Sequence, residues 1–210
     1  MERSDLFISA TCTLGFISLF KFLIHSLRWI WVMLLRPPKN LKHYGSWAIV
    51  TGSTDGIGKA IAFELASKGL NLLLVGRSPQ KLEAMMKEIR ERHNNNNDDV
   101  EVKVVVMDLG SLNGEEIMRR MEEGMEGLDV GVLVNSAGMA GPYFRYFDED
   151  DMEFVDGIIK VNLEGGTRIT KAVLPWMMKK KKGVIVNIGS ASSGVVPSYP
   201  LSSLYASTKA

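Results

Sequence analysis

Beyond residue 45 the chain repeats one pattern: a short apolar run, a turn, then a stretch with helical spacing. The runs are "SWAIVTG", "LNLLLVG", "VEVKVVVMD", "VGVLVNSAG" and "GVIVNIGS". Their apolar residues are largely consecutive rather than alternating, so these strands must be covered on both faces. Strands of that kind, alternating with helices, predict an α/β fold with a doubly wound parallel sheet. Among the helical stretches, "GIGKAIAFELASKG" ends on a glycine cap. Ser78 and Pro79 fit an N-cap and first helical position, with Leu82, Met85, Met86 and Ile89 sharing a face. Asn113 to Glu126 predicts a charged surface helix that turns Met118, Met121 and Met125 into the core. Asp150 to Met178 predicts one long helix, and the "KKKK" after it (179–182) a solvated helix end favourable to the helix dipole. "NNNNDD" (94–99) reads as a polar loop.

Residues 1–45 are different in kind, a predicted anchor and linker ahead of a domain at 46–210. Leu6 to Phe20 carries no charge, and Leu6 to Ile24 approaches the ~20 apolar residues a membrane-spanning helix needs, if Lys21 snorkels. Trp29 and Trp31 suit a headgroup layer. Lys21, His25 and Arg28 share one helical face, which keeps open a helix lying in the interface. Glu2 and Asp5 oppose the basic start of a cleaved signal peptide. The basic excess after the segment (Lys21, Arg28, Arg36, Lys39, Lys42) puts the domain on the cytosolic side. "RPPKN" (36–40) breaks a helix and serves as linker. A formal charge of only +1 excludes a general nucleic-acid binder, and the single cysteine, Cys12, excludes an internal disulfide.

The chemistry collects at strand ends. "TGSTDGIG" places Gly52, Gly56 and Gly58 between a strand and a helix, where bare backbone can approach a pyrophosphate at the helix N-terminus. Arg77 ends the second strand where a dinucleotide fold reads the adenosine ribose. With no carboxylate there, an arginine favours a 2′-phosphate, hence NADP(H) over NAD. Asn162 interrupts an otherwise apolar stripe of Val155, Ile158, Ile159, Gly166, Ile169 and Val173. It either satisfies a core backbone group or reaches the active site. Ser190 follows the fifth strand, at the edge where open parallel sheets bind ligands. Tyr205 and Lys209 stand one helical turn apart, and the ammonium would lower the phenol's pKa.

In this order, "TGSTDGIG", "NSAG", "IKVNLEG", the serine after the fifth strand and "YASTK" resemble the short-chain dehydrogenase/reductase superfamily, from about Ser46 onward. The stretches "LRPPKNLKHYGSWAIVTGSTDGIGKA", "KGLNLLLVGR", "GLDVGVLVNSAGM" and "VPSYPLSSLYASTKA" are similar to its membrane-bound very-long-chain 3-oxoacyl-CoA reductase branch, close to the 17β-hydroxysteroid dehydrogenases. The resemblance implies a Rossmann-type fold and a catalytic set of Asn162, Ser190, Tyr205 and Lys209. Tyr205 would be the acid/base, Lys209 its electrostatic support and ribose contact, Ser190 the carbonyl orienter and Asn162 the support of a relay water. Ser53 and Ile57 would join the glycines, Arg77, Asp108, Asn135 and Gly138 around NADP(H), and no metal is implied. The usual second asparagine of the fourth-strand motif is Ser136 here. Ser190 precedes Tyr205 by a longer gap than is common, so Ser192 and Ser193 stay as alternatives.

The implied activity is NADPH-dependent reduction of a very-long-chain 3-oxoacyl-CoA at the endoplasmic reticulum, beside other fatty-acid elongation enzymes. A steroid ketone is the alternative substrate. By the same resemblance the fold is incomplete at the C-terminus. Tyr205 to Ala210 is then expected to fray and the fifth strand to be an exposed edge, which leaves a non-catalytic, membrane-tethered remnant as a third reading.

Overall fold

Five parallel strands form the sheet: β1 (Trp47–Thr51), β2 (Asn71–Gly76), β3 (Val102–Val106), β4 (Val130–Asn135) and β5 (Val184–Asn187). Their order is β3-β2-β1-β4-β5, so the chain reverses its direction of winding between β1 and β4. In the computed structural model the described residues are 3–93, 100–141, 143–195 and 200–210. The polar loop expected at 94–99 lies outside them. The chain divides into two units, Met1–Asn40 and Leu41–Ala210.

The first unit is helix α1 (Arg3–Ile30), continued by a π-helical turn at Trp31–Leu35. Phe7–Leu35 is long and apolar enough to cross a membrane, and none of it is buried within the protein.

The second unit is wound on both faces of its sheet, as the unbroken apolar strands require. Ile49 and Leu73 face a layer with Ile117, Met121, Met125, Ile169 and Val173, from helices α4 (Gly114–Met125) and α6 (Gly166–Lys180). Val50, Leu72 and Leu74 face the other layer, with Ala62, Leu82 and Ile89 from helices α2 (Gly56–Ser67) and α3 (Pro79–His93). Of the three methionines expected inside, Met121 and Met125 are fully buried, and Met118 packs against their cluster half-buried.

The predicted long helix is broken. Helix α5 (Met152–Ile159) passes through a π-helical turn at Lys160–Gly165 before α6 begins. The wider turn shifts the phase of the stripe. Ile158, Ile169 and Val173 stay buried, but Ile159 swings out to 40% exposure. The tetralysine is not wholly solvated either. Lys180 Nζ donates to the Asp129 carboxylate and to the Tyr44 carbonyl (3.1 Å), and Asp129 accepts the Ser46 N–H. This joins the end of α6 to the segment leading into β1. The Lys180 contact, the Ser46 amide and nearby Lys182 hold the Asp129 carboxyl below its ordinary pKa. Stability drawn from that depression is fully present above the unfolded carboxyl value of about 4 and is lost as pH falls from there through the lower native value. Asp129→Asn should therefore lower the melting temperature at neutral pH, and the gap to the parent should close on acidification. A gap that does not narrow would remove the electrostatic account.

Candidate active site

The cleft begins where β1 turns into α2. Gly52 and Gly56 have φ of +63° and +50°, a region that suits glycine. A Cβ on Gly52 would lie 2.8 Å from Ala137 Cα, and one on Gly58 would lie 2.2 Å from Gly52 O. Gly56 instead faces open space, with nothing within 4 Å of a notional Cβ. Asp55 caps α2, its carboxylate accepting the Gly56 N–H at 2.8 Å. The turn is tight on its protein side and open where a ligand would approach. Ser53 is completely buried, its hydroxyl directed at the Val75 carbonyl, while Ile57 is exposed. Arg77 is exposed at the end of β2 and makes no ion pair or hydrogen bond among the described residues. Asp108, just past β3, spends one carboxylate oxygen on the Gly110 N–H (3.0 Å) and is otherwise exposed.

The loop after β4 is fixed from two sides. The buried hydroxyl of Thr51 accepts the N–H groups of Ser136 and Ala137, both at 3.0 Å. Asn162, in the π-helical turn, takes the Met139 N–H (2.7 Å) and donates to Met139 O and Thr208 Oγ1 (both 2.9 Å). The question about Asn162 is thereby answered: it satisfies a backbone pair, and it does so beside the cleft. Asn135 turns its amide to Thr170 and Asn187, bracing β4 against α6 and β5. Its Oδ1 is a buried polar atom without a partner among the described residues.

At the end of β5, Ser190 caps a 3-10 turn (Ala191–Ser193). Its oxygen accepts the Ser192 N–H (3.3 Å) and the Ser192 hydroxyl (2.9 Å), so its own proton is left to donate outward. The Ser193 hydroxyl is committed inward, between the carbonyls of Ser190 and Lys209. Tyr205 and Lys209 come from α7 (Ser203–Thr208) and its C-cap. This helix is formed rather than frayed. Thr208 is buried and donates to Tyr205 O (2.9 Å), and Lys209 is tied to the loop after β5 by its carbonyl and its ammonium. Lys209 Nζ donates to Ile188 O (3.2 Å) and lies 3.0 Å from the Cβ position of Gly138. Burial pushes its pKa below the ordinary lysine value. Tyr205 lines a shallow open depression with Tyr143, Arg145, Phe154, Leu201 and Leu204.

The structure thus gathers Gly138, Asn162, Ser190, Ser193 and Lys209 through direct contacts at the carboxyl ends of β4 and β5, with Tyr205 one helical turn before Lys209. It sets Gly52, Gly56 and Gly58 at the end of β1, and Arg77 and Asp108 beyond them. Two residues of this arrangement carried no sequence signal of their own. Thr51 reads as the last residue of a strand and Thr208 as a spacer, yet each hydroxyl organises a loop.

The short chain dehydrogenase family model matches residues 46–210. A very-long-chain 3-oxoacyl-CoA reductase-like protein of Arabidopsis thaliana is 40% identical over 210 residues, all of this chain and 65% of that one. A very-long-chain 3-oxoacyl-CoA reductase of Anas platyrhynchos is 45% identical over 168 residues, 79% of this chain and 51% of the other. The chain therefore spans between about half and two thirds of the length of these relatives. Among solved structures, a short-chain dehydrogenase of Sphingobium yanoikuyae in complex with NADPH aligns with TM-score 0.66 and 30% identity, over 78% of this chain and 59% of that one. Because the family match runs through every strand described above, the chain belongs to the short chain dehydrogenase family.

Proposed function

We propose that the protein is an NADP(H)-dependent reductase of the 3-keto group of very-long-chain acyl-CoA. The relatives' names supply the substrate class. The observation that carries the chemistry is the meeting of the Ser190 turn, Lys209 and the Asn162-clamped loop, with Tyr205 one helical turn before Lys209. The cradle fits a dinucleotide phosphate: Gly56 leaves open space at the start of α2, and Arg77 offers a guanidinium past β2 that is unpaired among the described residues. When bound, the nicotinamide supplies the hydride for the keto carbon. The residues of the chain do the rest. Ser190 donates a hydrogen bond to the keto oxygen, in preference to Ser192, which supports it, and Ser193, which is turned inward. Tyr205 gives that oxygen its proton. Lys209, held against Gly138 one helical turn after Tyr205, supplies a positive charge to the site and a contact for the ribose.

In this reading Phe7–Leu35 anchors the protein in the endoplasmic reticulum membrane, with the domain in the cytosol beside other enzymes of fatty-acid elongation. Turnover of a 3-ketoacyl-CoA and of estrone, each with NADPH, tests the substrate. Preference for the acyl-CoA is expected; preference for the steroid would move the assignment to the hydroxysteroid branch, and inertness toward both would reject catalysis by this chain.

Arg77 tests the cofactor by itself. A charge-assisted hydrogen bond contributes about 1.5–3 kcal/mol, so Arg77→Ala should weaken NADPH by roughly 10- to 100-fold, with NADH little changed. Equal loss for both, by fluorescence titration, would show that Arg77 does not meet the 2′-phosphate.

A further inference from the structure

At the amino ends of the strands, opposite the cleft, the chain builds a strongly basic face around Tyr44. Lys180 Nζ donates to the Tyr44 carbonyl and grips Asp129, which also feels Lys182. On the other side of Tyr44, the Lys42 ammonium lies 2.4 Å from the Cβ position of Gly69, next to Lys68. Lys179, Lys181 and Lys182 are exposed at the end of α6 and make no ion pair among the described residues. Of the lysines on this face, Lys68 pairs with Glu64 and Lys180 with Asp129, while Lys179, Lys181 and Lys182 stand beside them as further positive charge. Farther along this edge Glu101 and Lys103 pair with each other. The whole chain carries only +1, so the remainder of the protein is net acidic and the positive charge is concentrated here.

We propose that this lysine face docks on the anionic lipid headgroups of the membrane that holds α1. The inference rests on reading Phe7–Leu35 as the membrane segment; from its end the chain reaches Leu41 through Arg36–Asn40 alone. Five linker residues span at most about 18 Å, so the tether keeps Leu41 within roughly that distance of the end of the membrane segment. Lysines held near an anionic leaflet are attracted to it over roughly a Debye length, about 8–10 Å at physiological salt. Neutral lipid would give the same tether without the attraction, so the two contributions separate. Docking by this edge would leave the cleft, at the carboxyl ends of the strands, open to the water that carries a soluble cofactor.

The test uses the full chain with Cys12→Ser, labelled with a fluorophore at Lys181→Cys or, as a control at the opposite edge, at Asp148→Cys. Each is reconstituted into phosphatidylcholine vesicles with or without phosphatidylserine, and quenching by headgroup-labelled lipid is read. Flotation with the neutral vesicles reports the membrane segment by itself. Quenching at position 181 should be several-fold stronger in the anionic vesicles than in the neutral ones, with little change at 148. It should fall to the neutral value in about 0.5 M salt, where screening shortens to a few ångströms. The triple variant Lys68→Gln, Lys179→Gln, Lys182→Gln should abolish the difference while still binding NADPH and floating. Equal quenching in both lipids, no response to salt, or equal quenching at 148 and 181 would overturn the docking face while leaving the anchor standing. Failure to float with either lipid would overturn both.

Discussion

Tyr205→Phe is expected to lower kcat by about 100- to 10,000-fold, the usual span for losing a positioned general acid. The ring should keep its place in the depression with Phe154 and Leu204, because only the hydroxyl is removed. Affinity for NADPH should then remain, since the glycine turn and Arg77 are untouched. Lys209→Met should damage both properties. Its ammonium bridges to Ile188 O and covers Gly138, so its removal disturbs the floor of the cleft as well as the proposed catalytic charge. Steady-state turnover of a 3-ketoacyl-CoA beside fluorescence titration of NADPH separates the two variants. If Tyr205→Phe turns over at the parental rate, the proton comes from another group. If it loses NADPH as well, the ring is structural.

The glycine turn should divide a stability effect from a binding effect. Gly58→Ala drives a methyl to 2.2 Å from Gly52 O and 3.1 Å from Ser136 Oγ. Gly52 cannot easily yield, for its N–H is bonded to Val75 O (3.0 Å) and its own Cβ position is filled by Ala137. Against unyielding backbone the cost falls at or above the upper end of the about 1–3 kcal/mol usual for overpacking, and for a chain of this size that is several degrees or more of melting temperature. Gly56→Ala meets no atom and pays only for its positive φ, about 1–2 kcal/mol. Its methyl points into the open space where the proposed function puts a phosphate, so it should impair NADPH binding more than its stability loss accounts for. Thermal melts with and without saturating NADPH check the pair. Equal melts for the two variants in the absence of cofactor would refute the close-packing argument at Gly58.

The strands were legible because burial on both faces demands consecutive apolar residues, and all five runs became strands. The helix from Asp150 was legible only as helix. Nothing in its periodicity announced the π-helical turn, whose extra width comes where Asn162 leaves the stripe to hold Met139. The glycine positions were readable since backbone approach has a one-letter signature. Side-chain direction was not: Ser53 lies next to Gly52 in sequence yet points into the core, and Asn135 braces two neighbouring elements. Pairings between distant segments were also hidden. Lys180 looked like one solvated lysine of four until the fold brought it to Asp129 and Tyr44. Which of the Ser190, Ser192 and Ser193 hydroxyls is turned inward could be seen only from their hydrogen-bond partners, which spacing does not encode.

The strand order has a consequence for how the chain is made. β1 pairs with β2 almost at once, but its other neighbour, β4, arrives late: Thr51 and Val134 are 83 residues apart. At roughly 5–20 residues per second of synthesis, one side of β1 waits several seconds with its amides and carbonyls unsatisfied. Wrong partners for that side are most abundant during this interval. With α1 emerging first, each nascent domain would pass the interval tethered and separated from its neighbours. Ribosome-bound intermediates halted before and after Val134 should therefore differ sharply in protease resistance around Ala48 and Ile49.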